Sequence, residues 1–157
     1  MILGTSGHRA LGEASFPKLA YNAIYEKTKS IIQELSPSRM ITGMAVGWDT
    51  LVADLCVEMN IPFICALPFT GQEAYWSVYD KNHYNDLLAK AEKIEIINRS
   101  GWANWKYQTR NVWIVDHSDK MLFCYDGGNS SGTKNCYDYA IKSSKEIIRI
   151  NPLDYRK

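Results

Sequence analysis

The strongest constraint on this chain is an alternation that runs from end to end: short apolar runs separated by stretches of helical period. Apolar runs predict strands at Met1–Gly4, Arg39–Thr42, Pro62–Leu67, Lys93–Asn98, Lys120–Tyr125 and Glu146–Ile150. Pro62–Leu67 is apolar throughout, as a strand covered on both faces is. Between the first two, Tyr21, Ile24, Tyr25, Ile31, Ile32 and Leu35 recur at helical steps until Ser36-Pro37-Ser38 stops them. Asp49 is placed to cap a helix carrying Leu51, Val52, Leu55, Cys56 and Met59, which Asn60 closes. Tyr84, Leu87, Leu88 and Ala91 form another helical stripe, and Gly71–Tyr79 reads as a loop or short helix. Arg99–Lys106 reads as a loop, Gln108–His117 as a helix, and a last helix ends near Ser144. Strands joined through helices must pair in parallel by crossovers, so the expected fold is an open, mostly parallel α/β sheet with helices on both faces. No repeat or linker interrupts it, and residues 1–157 read as one domain.

Composition narrows the function. Eighteen Lys and Arg face seventeen Asp and Glu, a balance that argues against coating nucleic acid or an anionic membrane. No apolar run approaches the length of a membrane span. Met1 leads directly into a strand-like run with no basic and apolar leader, so a cytoplasmic protein without a signal segment is expected. Cys56, Cys65, Cys124 and Cys136 are widely spaced within apolar stretches. That pattern suits reduced, buried thiols better than disulfides or a zinc site. His83 and His117 lack metal-spaced partners, so neither a metal nor a cofactor is expected.

In open α/β sheets, ligands sit beyond the carboxyl ends of the strands, near the point where strand order reverses. Four segments fall at such ends: Gly4–Arg9, Gly43–Asp49, Leu67–Glu73 and Asp126–Thr133. Glycine lets backbone approach a ligand, and the free N–H groups of a following helix favour an anion such as phosphate. Gly127-Gly128 with Ser131, Gly132 and Thr133 is the strongest of these signals. It reads either as a surface turn capped by Ser130 or Ser131, or as a phosphate site, and its place between buried strand and helix favours phosphate. It is neither a Walker loop nor a dinucleotide glycine fingerprint. Asp49 can cap its helix, hold a ribose hydroxyl, or do both. His8 and Arg9 are either ordinary surface residues or ligand contacts at the end of the first strand.

Arg99–Trp113 carries Trp102, Trp105 and Trp113 among Arg99, Lys106 and Arg110, with no acid. Such rings can cover a core edge or a partner subunit, stack on one base of a small nucleotide, or stack along single-stranded nucleic acid.

In order along the chain, Thr5-Ser6-Gly7-His8-Arg9, Gly43-Met44-Ala45-Val46-Gly47-Trp48-Asp49-Thr50, Ile61-Pro62, Leu67-Pro68-Phe69, Arg110-Asn111, Ser118-Asp119, Tyr125-Asp126-Gly127-Gly128 and Gly132-Thr133 resemble the SLOG superfamily. That superfamily joins the DNA-processing protein A fold to the "lonely guy" phosphoribohydrolases, and the likeness is to its YpsA-like branch. The resemblance implies a Rossmann-like fold, a site for a nucleotide or ADP-ribose-like molecule, and a homodimer. On it, Ser6, Gly7, His8, Arg9, Gly43, Gly47, Trp48, Asp49, Arg110, Asn111, Gly127, Gly128, Ser131, Gly132 and Thr133 would bind the ligand, with Trp48 or Trp76 stacking on a base. Where the hydrolases carry an Arg-Lys pair, this chain has Arg110-Asn111, and their catalytic glutamate falls on Cys136. Cleavage of an N-glycosidic bond needs a carboxylate, so hydrolysis would fall to Glu73 or Asp49, with Arg110. The leading expectation is a small-molecule nucleotide-binding sensor or sequestering domain. A nucleotide N-glycosidase is the alternative, and single-stranded DNA binding is third.

Overall fold

The computed structural model describes residues 1–9, 18–128 and 132–155. Strands β1 (Ile2–Gly7), β2 (Arg39–Thr42), β3 (Phe63–Leu67), β4 (Lys93–Ile96), β5 (Lys120–Cys124) and β6 (Glu146–Ile150) alternate with helices α1 (Lys18–Leu35), α2 (Trp48–Glu58), α3 (Val78–Lys90), α4 (Trp105–Asp116) and α5 (Gly132–Lys142). A 3₁₀ turn, Pro152–Tyr155, follows. The strands form one sheet in the order β4-β3-β2-β1-β5-β6, and every pairing is parallel.

That order explains where the helices lie. From β1 to β4 the chain steps one way across the sheet, and right-handed crossovers then put α1, α2 and α3 on one face. It returns past β1 to β5 and β6 in the opposite direction, so the same handedness puts α4 and α5 on the other face. Strand side chains alternate accordingly. Leu3, Met40, Cys65, Leu122 and Cys124 pack with Ile24, Leu51, Leu55 and Leu87. Ile41, Ala66, Met121 and Phe123 pack with Ile114, Val115, Cys136 and Ala140. The four cysteines are buried and unbridged. Among the described residues, no helix is long and apolar enough to cross a membrane.

β4 ends at Ile96, two residues short of the expected strand, and three further departures bear on the site. β1 runs on through Thr5, Ser6 and Gly7, which pair with Leu122, Phe123 and Cys124. Small polar residues there suggested a turn, yet Thr5 finds a partner inside the sheet, its hydroxyl donating to Ile41 O at 3.0 Å. Helix α2 begins one residue before Asp49, with Gly47 at the N-cap and no side chain capping it. Asp49 therefore does not cap; its Oδ2 accepts the Ala45 N–H at 3.1 Å and ties down the loop that enters the helix. Helix α4 starts at Trp105, three residues earlier than periodicity placed it, because Trp105 and Lys106 carry no core-facing apolar group to mark the first turn.

Candidate functional site

Strand order reverses between β1 and β5, the place at which this architecture leaves a crevice. A cleft of about 690 Å³ opens there. The end of β1 supplies Ser6, Gly7, His8 and Arg9; the entry to α2 supplies Ala45 and Asp49; the start of α5 supplies Gly132 and Thr133. The wall opposite is Trp102, Asn104, Tyr107, Arg110 and Asn111, from α4 and the loop before it, with Asp126 beside them.

Arg110 is the best-anchored of these groups, only 4% exposed. Its Nη1 donates to Gly43 O at 2.6 Å, and its Nε donates to Asn111 Oδ1 at 2.9 Å. The fit requires glycine at 43, since a Cβ there would lie 2.6 Å from Nη1. Gln72 Nε2 donates to the same Gly43 carbonyl at 3.2 Å and to Met44 O at 3.4 Å, fixing the loop from its other side. Among the described residues, Arg110 Nη2 has no hydrogen-bond partner, which leaves one edge of the guanidinium fork unused.

Asp49 is 5% exposed, and its Oδ1 is buried without a partner. Burial pushes its carboxyl above the ordinary aspartate range, with Arg110, the Ala45 N–H and Arg9 pulling the other way. Burial likewise lowers the Arg110 guanidinium from its usual value, while Asp49 opposes that shift. No ion pair joins the two among the described residues. Arg9 adds a second cation, its guanidinium 4.7 Å from the centre of the Tyr107 ring, a cation–π arrangement. The cleft thus holds two arginines, a buried carboxylate oxygen lacking a donor, and the first turn of α5, whose N–H groups have no partners within the helix.

Within the cleft lining, His8 Nε2 accepts the Asp126 N–H at 3.0 Å. Asp126 Oδ1 accepts the Gly128 N–H at 2.8 Å, and that bond, then burial in opposition, then His8, leaves its carboxyl below the usual range. Cys136 is fully buried. Burial pushes its thiol up to about 12, against weaker opposing effects of Ser6 and Arg110, so at neutral pH it is an uncharged thiol.

Of the residues expected to bind ligand, Ser6, Gly7, His8, Arg9, Asp49, Arg110, Asn111, Gly132 and Thr133 meet in this cleft. Others lie elsewhere, each for a packing reason. Trp48 is wholly buried against Gly7, where a Cβ would come within 2.3 Å of the indole, so it has no face to offer a base. Gly47 has a φ of 101° and sits against the Arg9 carbonyl, and Gly43 serves Arg110; both are packing glycines. Gly127, with a φ of 86°, shapes the turn after β5, and Gly128 gives its N–H to Asp126, so neither lines the cleft. Trp76 packs edge-on against Tyr84, their ring centres 5.2 Å apart. Glu73, whose Oε1 is buried without a partner, is also absent from the lining. Ser131 lies outside the described residues.

Sequence reasoning missed Tyr107, Asn104, Ala45 and Asp126 as lining groups and left Trp102 unassigned. Tyr107 had a usable signal: it stands three residues before Arg110 on one helix and so shares its face. The three tryptophans of this segment separate. Trp102 lines the cleft, Trp105 is exposed outside it, and Trp113 stacks on His117 with ring centres 3.9 Å apart.

The SPbeta prophage-derived protein YoqJ of Bacillus subtilis (strain 168) is 33% identical over 150 residues, spanning 81% of this chain and 86% of YoqJ. DNA processing protein A of Helicobacter pylori, a single-stranded DNA-binding protein, superposes with a TM-score of 0.69 at 13% identity. The match covers 96% of this chain but only 65% of that one. A molybdenum cofactor binding protein from Rippkaea orientalis superposes with a TM-score of 0.59 at 19% identity, over 97% of this chain and 78% of that one. At those identities the structural likeness carries the fold alone. The model of the YspA SLOG family (YpsA) matches residues 15–156. The chain is a member of that family, in the YpsA-like branch of the SLOG superfamily.

Proposed function

We propose that the cleft binds a phosphate-bearing nucleotide or nucleotide-sugar of ADP-ribose-like kind, and that the protein senses or sequesters it. The observation that carries this reading is the pairing of Arg9 and Arg110 with an unpartnered Asp49 oxygen in one cleft at the strand-order reversal. The arginines and the first turn of α5 suit a phosphate. Asp49 Oδ1 is an acceptor waiting for a hydroxyl donor, as a ribose provides. Family membership supports the nucleotide class.

The position that would carry a catalytic glutamate holds the neutral thiol of Cys136, and Glu73 lies away from the cleft. A thiol that stays protonated stabilises no oxocarbenium-like charge, so binding is favoured over cleavage. Asp49 is the one candidate carboxylate from the hydrolase reading that reaches the cleft, which gives that reading a defined test. Calorimetry with AMP, ADP, ADP-ribose and ribose 5-phosphate is expected to show saturable binding, and chromatography of the mixtures no free base. Release of base that Asp49→Asn abolishes would establish the glycosidase instead. Binding of oligonucleotides alone, weakening steeply with salt, would establish the DNA-binding reading. We also propose that the protein works in the cytoplasm as a homodimer. Exposed Ile94 and Ile96 on the edge strand β4 support self-association, and sedimentation of a single monomeric species would refute it.

A further inference from the structure

Trp102 is 70% exposed at the cleft, yet the backbone just before it is held with unusual care. Lys106, only 8% exposed, donates from Nζ to Gly101 O at 2.7 Å, Arg99 O at 2.9 Å and Ser100 O at 3.3 Å. All three ammonium protons are thereby used within one loop. The same ammonium lies 5.8 Å from the centre of the Phe69 ring. Asn98 Nδ2 ties the start of the loop to Pro68 O at 2.9 Å. Gly101, with a φ of 100°, makes the turn that delivers the next residue to the cleft.

Burying an ammonium costs free energy unless its protons are satisfied and its charge is used. Here the cation holds three carbonyls of a turn whose large apolar side chain remains exposed. Among the described residues, the Trp102 ring makes no ring contact or hydrogen bond. Of the other rings lining the cleft, Tyr107 is already covered by Arg9, and His8 packs against Tyr125 with ring centres 5.9 Å apart. One open π-face therefore stands beside the anion-binding groups on a pinned loop.

We infer that Trp102 is the stacking face for the planar ring of the cleft's ligand, and that Lys106 is the residue that positions it. The ligand class this selects is a nucleotide with its base attached, not a base-free sugar phosphate. The inference rests on reading the cleft as a nucleotide site.

The test uses the full chain, with AMP and ribose 5-phosphate as probes, in calorimetry. Wild type is expected to bind AMP roughly tenfold more tightly than ribose 5-phosphate, the scale of one base stacked on an aromatic ring. Trp102→Ala is expected to remove that preference by weakening AMP binding roughly tenfold, and Trp102→Phe to keep most of it. Lys106→Met is expected to reduce the preference in the same direction, with Lys106→Arg restoring it in part, and thermal melts confirm that each variant folds. AMP binding that is equal in wild type and Trp102→Ala overturns the stacking role and leaves the nucleotide reading standing. A change in sedimentation with unchanged AMP affinity also overturns it and assigns the ring to a subunit contact. Failure of wild type to bind either probe overturns both readings.

Discussion

Asparagine at position 49 is expected to make the protein more stable while weakening its grip on ligand. In the folded state Asp49 is 5% exposed, with one oxygen bonded to the Ala45 N–H and the other unpartnered. An asparagine keeps an acceptor for Ala45 and removes the buried charge. The variant also withdraws the attraction that Asp49 exerts on Arg110. The upward displacement of the carboxyl already includes that attraction, so neutralising the group still favours the fold. An unpartnered buried group costs about 1–3 kcal/mol, and more when it is charged, so replacing the carboxylate by a neutral amide recovers a cost of that order. At about 2–4 °C per kcal/mol for a domain of this size, Tm should rise by about 2–12 °C at pH 7. Because the folded value is raised, stability contributed by protonating Asp49 is fully present below the unfolded value of about 3.9. It is lost as pH rises through the folded one. The gap between the variant and wild type should therefore open from near zero in acid and widen as pH rises through the folded value. Melting curves by circular dichroism across that range measure it. A less stable variant at pH 7, or a gap that ignores pH, would refute the reasoning. Calorimetry of the same variant should show nucleotide affinity falling about tenfold or more, the worth of a hydrogen bond to a charged group.

Two further substitutions separate binding from scaffolding. Arg9→Ala touches an exposed side chain that lies over the Tyr107 ring, so nucleotide affinity should fall roughly tenfold with little change in Tm. Arg110→Ala should lower both, since Gly43 O loses its 2.6 Å donor; equal melts for the two variants would contradict that division. Gly7→Ala places a methyl 2.3 Å from the Trp48 indole, and overpacking of this kind costs about 1–3 kcal/mol. The urea midpoint, followed by tryptophan fluorescence, should drop, and an unchanged midpoint would show that Trp48 can yield.

The fold was legible because its information is periodic. Alternation of strand and helix dictates parallel pairing, and the register of Leu3, Met40 and Cys65 on one face against Ile41 and Ala66 on the other follows from period two. What the sequence left open was which glycines meet ligand and which meet protein. Gly43 and Gly47 look like phosphate-loop residues, yet they are small because Arg110 and the Arg9 carbonyl press against them. That pressure comes from residues distant in the chain, which no local pattern carries. Trp48 illustrates the same limit: it lies in a glycine-bearing turn, but Gly7 gives it room to bury completely. Polar residues at the strand and helix ends were easier to place, because the topology brings strand carboxyl ends together whatever the side-chain packing. His8, Asp49 and Thr133 reached one cleft for that reason.

We propose that this cleft, and no other surface, holds a phosphate-bearing nucleotide. Titration of isotope-labelled protein with ADP-ribose and AMP, followed amide by amide in NMR, addresses it directly. Shifts that saturate and cluster at Ser6–Arg9, Asp49, Tyr107–Asn111 and Gly132–Thr133 are the predicted result. Absence of shifts with both nucleotides, or saturable shifts confined to residues outside the cleft, would contradict it.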